Sequence, residues 1–265
     1  MSDRTHISFS ELKIWNECAH KHKLSYIDDL KKFVGNEHTA FGKAVHDVCE
    51  KSITGEIDLD SESLNNCFNE SFLDELRRLT EEEVPLKKEL ISAMREQVCD
   101  LLPHINPSLK EHFGEYELIS AEEELYEALE EANLNYKGFI DLVIKTPDGK
   151  YHIIDWKTCS WGWDSKRKSD RMTGYQLTFY KHFFALKHDI DPAKIETHFA
   201  LLKRTAKKNR VEIFKITSGR KKTENALNLL KKAIYNIQNK RFIKNRLACQ
   251  SPWGMCEFYN TEHCR

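Results

Sequence analysis

Two short stretches place charged side chains in segments that are otherwise apolar enough to form buried strands. One reads GFID and ends at Asp141, and the other reads YHIIDWKT and contains Asp155 and Lys157. Because side chains alternate between the two faces of a strand, Asp155 and Lys157 share one face, while Ile154 and Trp156 take the other. The segment TPDGK between the stretches has the residues of a tight turn. We therefore expect a hairpin that brings Asp141 close to Asp155 and Lys157.

Burying these three charges is costly unless each finds a partner. Two adjacent carboxylates repel each other, so one should stay protonated unless a cation lies between them. A divalent metal ion removes the repulsion, and Mg²⁺ or Mn²⁺ takes carboxylate oxygens while keeping waters for chemistry. The alternative is a structural ion pair between Asp155 and Lys157, with Asp141 at a strand end. The hairpin alone favours neither.

The surrounding elements follow from periodicity. The segment SFSELKIWNECAHKHKLSYIDDL has apolar residues at helical spacing, with Ser10 as the expected N-cap, and helical patterns continue to about residue 113. Five strand-like segments follow, with the helical segment YQLTFYKHFFALKH between the third and the fourth and another helix after the fifth. We expect an α/β fold in which a small mixed sheet is flanked by helices and preceded by a helical insertion.

The chain of 265 residues is long enough for one large domain with an ample core. We expect a single domain with four segments: an N-terminal helix (1–34), a helical region (35–113), a sheet core (114–218), and a C-terminal helix with a tail (219–265). No apolar run approaches the roughly 20 residues of a membrane span, and the start lacks a secretory pattern. These features predict a cytoplasmic protein without a membrane partner, whose eight cysteines are reduced or bound to metal.

The net charge of −1 hides a marked asymmetry. Residues 1–150 contain 17 Lys and Arg against 32 Asp and Glu, whereas residues 151–265 contain 24 against 10. Such a split is a pointer to a polyanionic partner, although solvated helix faces and loops are the alternative explanation.

The pattern D-x13-D-x-K resembles the signature of the PD-(D/E)xK nuclease superfamily, and within it the RecB-like branch, which includes AddB-type and CRISPR-associated exonucleases. Three further stretches match that branch in the same order. GKAVH, which ends at His46, is similar to its G-x-x-x-H motif, and QLTFY, from Gln176 to Tyr180, is similar to its Q-x-x-x-Y motif. The serine-led N-terminal helix with its cysteine is the third. The resemblance implies a restriction-endonuclease-like core.

The resemblance also implies hydrolysis of a phosphodiester with the help of Mg²⁺ or Mn²⁺. The ion would be held by an imidazole, two carboxylates and a backbone carbonyl, from His46, Asp141, Asp155 and Trp156. Lys157 would orient or help to deprotonate the attacking water. Gln176 and Tyr180 would position the substrate strand or Lys157.

The segment TCSWGWDSKRKSDRMTG follows the second charged strand and mixes aromatic with basic side chains. Aromatic rings stack on exposed bases and cations follow phosphates, so the segment is a candidate DNA contact. The candidate residues are Trp161, Trp163, Lys166, Arg167, Lys168 and Arg171. The alternative is a solvated loop above two packed tryptophans.

Cysteines stand near both ends of the chain. Many RecB-like nucleases hold a 4Fe–4S cluster with one N-terminal and three C-terminal cysteines, and the resemblance assigns that role to Cys18, Cys249, Cys256 and Cys264. The tail spacing here is C-x6-C-x7-C, whereas the family is typically close to C-x2-C-x5-C. Zn²⁺ on the same thiolates, with His263 replacing one of them, and no metal at all are the alternatives.

Together these features predict a metal-dependent deoxyribonuclease, an exonuclease of DNA recombination, repair or phage DNA processing. Its partners would be DNA and a recombination or helicase protein. A restriction-like endonuclease and a catalytically inactive nucleic-acid-binding protein on the same fold are the alternatives.

Overall fold

A computed structural model describes residues 5–30, 34–129, 132–251 and 254–265 of the chain. The α-helices are α1 (Phe9–Glu17), α2 (Ala19–His22), α3 (Glu37–Thr54), α4 (Ser61–Glu81), α5 (Lys88–Leu101), α6 (Ile105–Phe113), α7 (Ser165–Lys168), α8 (Arg171–His188) and α9 (Arg220–Gln238). The strands are β1 (His6–Ser8), β2 (Glu117–Leu129), β3 (Leu134–Lys145), β4 (Tyr151–Cys159), β5 (Ile195–Lys203), β6 (Val211–Ile216), β7 (Gln250–Ser251) and β8 (Gly254–Met255).

The chain forms two compact units. The terminal unit comprises Met1–Phe33, Leu125–Gly138 and Gly219–Arg265, and the central unit comprises Val34–Glu124 and Phe139–Ser218. In the central unit β3 pairs antiparallel with β4, β4 pairs parallel with β5, and β5 pairs antiparallel with β6. This order confirms the predicted mixed sheet and the predicted β3–β4 hairpin.

Side-chain alternation gives the sheet of the central unit two different faces. Leu142, Ile154 and Trp156 lie on one face and are buried against α3, α4, α5 and α6. Edge-to-face contacts of Phe41 with Phe68 and Phe72 hold α3 against α4, with ring centroids 5.6 and 6.2 Å apart. Truncating one such buried ring to Ala costs about 3–5 kcal/mol. The helical region before the sheet thus forms one of its covering layers.

Helix α8 contacts β4 and β5 in the same unit. Its aromatic side chains include Phe184, whose ring lies 6.2 Å from that of Tyr151. Asp170 caps the helix by accepting a hydrogen bond from the Thr173 N–H. The predicted helix after β4 is confirmed, and it begins four residues earlier than the apolar periodicity indicates.

In the terminal unit β1 pairs parallel with the start of β3, where Ile7 lies opposite Tyr136. Helix α1 is capped by Ser8, whose Oγ accepts a hydrogen bond from the Glu11 N–H at 3.2 Å. The expectation of Ser10 as the N-cap was wrong, because the helix starts directly where β1 ends and Ser10 already lies inside it. Among the described residues, no helix combines the length and apolarity that a membrane crossing requires.

Candidate active site

Asp141 and Asp155 lie on one face of the β3–β4 hairpin. Leu142 and Ile154 are direct partners in this antiparallel pair. Asp141 precedes Leu142 and Asp155 follows Ile154, so both carboxyls point to the face opposite these two apolar side chains. The Trp156 N–H donates a hydrogen bond of 2.7 Å to Asp141 Oδ2, which ties the first carboxyl to the backbone beside the second. Lys157 forms an ion pair with Asp155 Oδ2. The alternation predicted this placement of all three charges.

His46 approaches the hairpin from α3. Gly42 lies one turn earlier, and a Cβ at that position would be 3.3 Å from Thr158 Oγ1 of β4. The absence of a side chain there lets α3 run close to β4, which explains why a glycine precedes the histidine by four residues. His46 Nδ1 lies 3.7 Å from Asp141 Oδ1.

Glu122 of β2 is a further member of the site that sequence reasoning missed. One ligand atom from each of His46, Glu122 and Asp141 lies within 4.8 Å of the other two. The backbone of Glu122 has φ of +48°, a left-handed conformation that is uncommon for a residue with a side chain. Such strain clusters at functional sites, where the surrounding structure enforces it.

The ionisable groups of the site have pKa values far from their ordinary ones. Burial raises the pKa of Asp141 and of Asp155 to about 6, and the Lys157 ammonium opposes this rise in both. Burial and the charge of Asp141 raise the pKa of Glu122 to about 7. Burial and the charge of Lys157 lower the pKa of His46 to about 4, so its ring is neutral near pH 7.

These raised pKa values mean that ionising all of these carboxyls near neutral pH is unfavourable unless a cation binds between them. A neutral imidazole nitrogen and carboxylate oxygens are suitable ligands for a divalent metal ion. A hydrogen bond between the His46 ring and the Trp156 backbone partly opposes the lowering of the His46 pKa. The peptide group of Trp156 therefore lies beside the His46 ring. The donor set therefore fits a divalent metal ion.

At pH 7 we expect Asp141→Asn to make the metal-free protein more stable. The folded pKa near 6 lies above the ordinary value of 3.8, so this carboxyl destabilises the fold progressively from about pH 4 to about pH 6 and fully above it. Asparagine lacks that cost of about 3 kcal/mol. Urea unfolding in EDTA should show no difference between variant and wild type near pH 4. If the free energies of unfolding of variant and wild type differed equally at pH 4 and pH 7, the raised pKa of Asp141 would be contradicted. Added Mn²⁺ should reduce the difference at pH 7, because it binds and stabilises the wild type.

Gln176 and Tyr180 of the QLTFY stretch lie together on α8. Gln176 Nε2 donates a hydrogen bond of 3.0 Å to the Tyr180 hydroxyl oxygen, as the four-residue spacing on one helix face allows. Tyr180 is buried, with 6 % of its surface exposed. The hydrogen bond and the burial of Tyr180 thus fix the two side chains relative to each other.

The segment after β4 separates its two tryptophans. Trp161 is 75 % exposed, whereas Trp163 is buried and its ring packs edge-on against Phe199 at 5.1 Å. We therefore give Trp163 a packing role, one of the two alternatives that the sequence left open. The basic residues are partly engaged: Arg167 lies over Trp163, Lys168 pairs with Glu212, Arg171 lies near the Tyr175 ring, and Lys166 is exposed.

In the terminal unit, one small cavity is lined by four cysteines from the two ends of the chain: Cys18, Cys249, Cys256 and Cys264. The Asn245 N–H lies 3.4 Å from Cys18 Sγ, and the Cys256 N–H donates to the Cys249 carbonyl at 2.7 Å. His263 is not part of this lining; its backbone carbonyl is hydrogen-bonded to the His20 ring. The resemblance had named the same four residues.

Comparison with known proteins bears on the fold and the family of the chain. The "Putative exonuclease" of Eubacterium rectale has a similar fold, with a TM-score of 0.57 and 14% identity over 96% of this chain and 86% of its own. The structure of SSO0001 aligns over 86% of this chain and 85% of its own at 15% identity, with a TM-score of only 0.34. Comparison with curated proteins found no significant match. The profile of the PD-(D/E)XK nuclease superfamily matches residues 6–261, and the chain belongs to that superfamily.

Proposed function

We propose that this protein is a divalent-metal-dependent deoxyribonuclease of the RecB-like branch that degrades DNA from its ends. The observation that carries the proposal is the group formed by His46, Glu122 and Asp141 next to the Asp155–Lys157 ion pair. Superfamily membership supports a hydrolase acting on nucleic acid. The four motifs in the order of the RecB-like branch support that branch, and with it a role in DNA recombination or repair.

The residues of the sequence motifs have separate chemical tasks in this proposal. Asp141, Asp155 and His46 would hold Mg²⁺ or Mn²⁺, with the Trp156 carbonyl as a further ligand, and a bound ion of this kind acidifies water and offsets charge on phosphate oxygens. The Lys157 ammonium lies at the edge of this group and is partly exposed, so it can orient the attacking water and stabilise developing negative charge. The hydrogen-bonded Gln176 and Tyr180 would hold the substrate strand against these groups.

A digestion assay tests the proposal. End-labelled linear DNA, circular duplex DNA and circular single-stranded DNA are each incubated with Mn²⁺, with Mg²⁺ and with EDTA. We expect linear DNA to be degraded only with metal and both circles to stay intact. Cleavage of the circles would replace the exonuclease by an endonuclease. Binding of DNA without degradation under every condition would indicate the inactive nucleic-acid-binding alternative.

Trp161 is the candidate residue for stacking on a base. Its ring is largely exposed, and the residue lies four positions before the start of the basic helix α7. We expect Trp161→Ala to weaken the binding of single-stranded DNA by about 1–3 kcal/mol, roughly five- to 150-fold in Kd. Leu186→Ala removes another exposed apolar side chain and serves as the control. Equal affinity of both variants, measured by fluorescence anisotropy in Ca²⁺, would remove Trp161 from the DNA contact.

We further propose that the four cysteines of the terminal unit bind a 4Fe–4S cluster. Their lining of one cavity supports a shared ligand. The resemblance to RecB-like nucleases with one N-terminal and three C-terminal cysteines supports a cluster, in which each thiolate binds a different iron. A tetrahedral Zn²⁺ on the same thiolates is the alternative.

A further inference from the structure

The central unit contains a second group of ligand-type side chains, on the face of β4 opposite to Asp155. His152 lies three residues before Asp155 and therefore points to the other side of the sheet. In the parallel pairing of β4 and β5, Glu196 is the direct partner of His152, and His198 lies two residues further along β5 on the same face. We propose that His152, Glu196 and His198 form a binding site for Zn²⁺.

The distances within this group fit a single small ion. His152 Nδ1 lies 3.2 Å from His198 Nε2, and Glu196 Oε2 lies 4.0 Å from the same His198 nitrogen. In a tetrahedral site with Zn–N bonds of 2.0–2.1 Å, two nitrogen ligands lie about 3.3 Å apart. The two rings are thus already at the spacing of neighbouring ligands. All three ligand atoms lie within 4.8 Å of one another.

Both rings are buried and held in place. Phe113 of α6 packs against them, with its ring centroid 4.9 Å from that of His152 and 5.0 Å from that of His198. Burial lowers the pKa of both histidines, for His198 to about 3, so both rings are neutral. His152 Nδ1 and His198 Nε2 share a hydrogen bond, which a metal ion would replace by taking one lone pair from each ring. His112, whose ring centroid is 5.8 Å from that of His198, is the adjacent imidazole outside the group.

The groups behind the ligands orient them in the manner of an outer coordination shell. The second nitrogen of His152 is hydrogen-bonded to Thr146 Oγ1 at 3.0 Å, which leaves Nδ1 facing the group. Lys215 and Lys150 approach Oε1 of Glu196 at 2.7 and 3.7 Å, so Oε2 remains on the side of His198. Their positive charges moderate the affinity for a cation but fix the carboxylate.

The donor set selects the class of metal. Two imidazoles and one carboxylate suit Zn²⁺ and similar transition metals, whereas Mg²⁺ and Mn²⁺ favour oxygen ligands. Three protein ligands leave a fourth position for water. The ion would join the start of β4 to β5 and so brace the strand that carries Asp155 and Lys157, a role that does not depend on the nuclease proposal.

Cobalt substitution tests the site on the full-length protein. Co²⁺ is titrated in excess Mg²⁺, and its visible d–d band is recorded together with the thiolate charge-transfer band, which reports any binding to the cysteines. We expect wild type to show a tetrahedral d–d band without thiolate charge transfer, displaced by one Zn²⁺ per chain. His152→Ala and His198→Ala should abolish this band, and His112→Ala should retain it.

Glu196→Gln separates a loss of metal binding from a loss of folding, because it keeps the size of the side chain and removes only the carboxylate charge. We expect it to weaken Co²⁺ binding by about 10-fold or more while circular dichroism stays unchanged. The proposal fails if wild type shows no sulfur-free Co²⁺ band, or if the band is the same in His152→Ala as in wild type.

Discussion

We expect Asp155→Asn to reduce metal-dependent degradation of linear DNA by more than about 100-fold, the loss that even outer-shell partners of metal ligands reach. Asp155 is almost completely buried on β4, and its carboxylate contacts the Lys157 ammonium. Asparagine keeps the shape but removes the charge that would help to hold the ion and position the lysine. DNA binding should persist, because the exposed Trp161 and Lys166 are unchanged. Digestion rates and anisotropy on the same preparation measure both effects.

Asp148→Asn is the matched control for this variant. Asp148 lies in the β3–β4 turn, and its side chain is about half exposed. It accepts a hydrogen bond from the Thr146 hydroxyl and forms an ion pair with Lys150. The same chemical change at this position should leave the digestion rate within a factor of about two, since surface substitutions of this kind have small effects. If Asp155→Asn kept full activity, the Asp155 carboxylate would not be needed for the reaction.

The second large effect concerns the terminal unit. We expect wild type purified without oxygen to be brown and to contain about four irons per chain, and Cys256→Ser to lose both the colour and the iron. Metal affinity of such a site appears as folding stability, because the unfolded chain lacks the site. A loss of only about 2 kcal/mol would lower Tm by roughly 4–8 °C for a chain of this size.

Cys99→Ser controls for general effects of removing a thiol. Cys99 lies on α5 in the central unit, is exposed, and does not line the cysteine cavity. This variant should keep its iron, colour and Tm. A colourless wild type with one zinc per chain would favour the zinc alternative, and a wild type without metal would end the cluster proposal.

The central features of the fold could be predicted because they depend on local rules. Alternation in the two stretches around Asp141 and Asp155 fixes their common face, and the TPDGK turn fixes the hairpin that aligns them. The helical insertion before the sheet follows from its 3.6-residue periodicity. The capping of α1 by Ser8 was missed, because two serines stand two residues apart and the choice depends on where β1 ends.

Contacts between distant segments could not be predicted in the same way. Glu122 stands in a run of three glutamates, and nothing local distinguishes the one with a left-handed backbone that faces His46. The group of His152 and His198 depends on the parallel register of β4 and β5, which a helix separates along the chain. The burial of Trp163 likewise depends on its contact with Phe199 of β5. The sequence could only give base stacking and packing beneath the loop as the two alternatives for this residue.

Crystals grown without divalent metal and then soaked in Mn²⁺ give the most direct test of the active site. We expect an anomalous difference peak within bonding distance of His46, Asp141 and Asp155, with Lys157 beside it. Active protein whose Mn²⁺ peak lies away from these three side chains would contradict it.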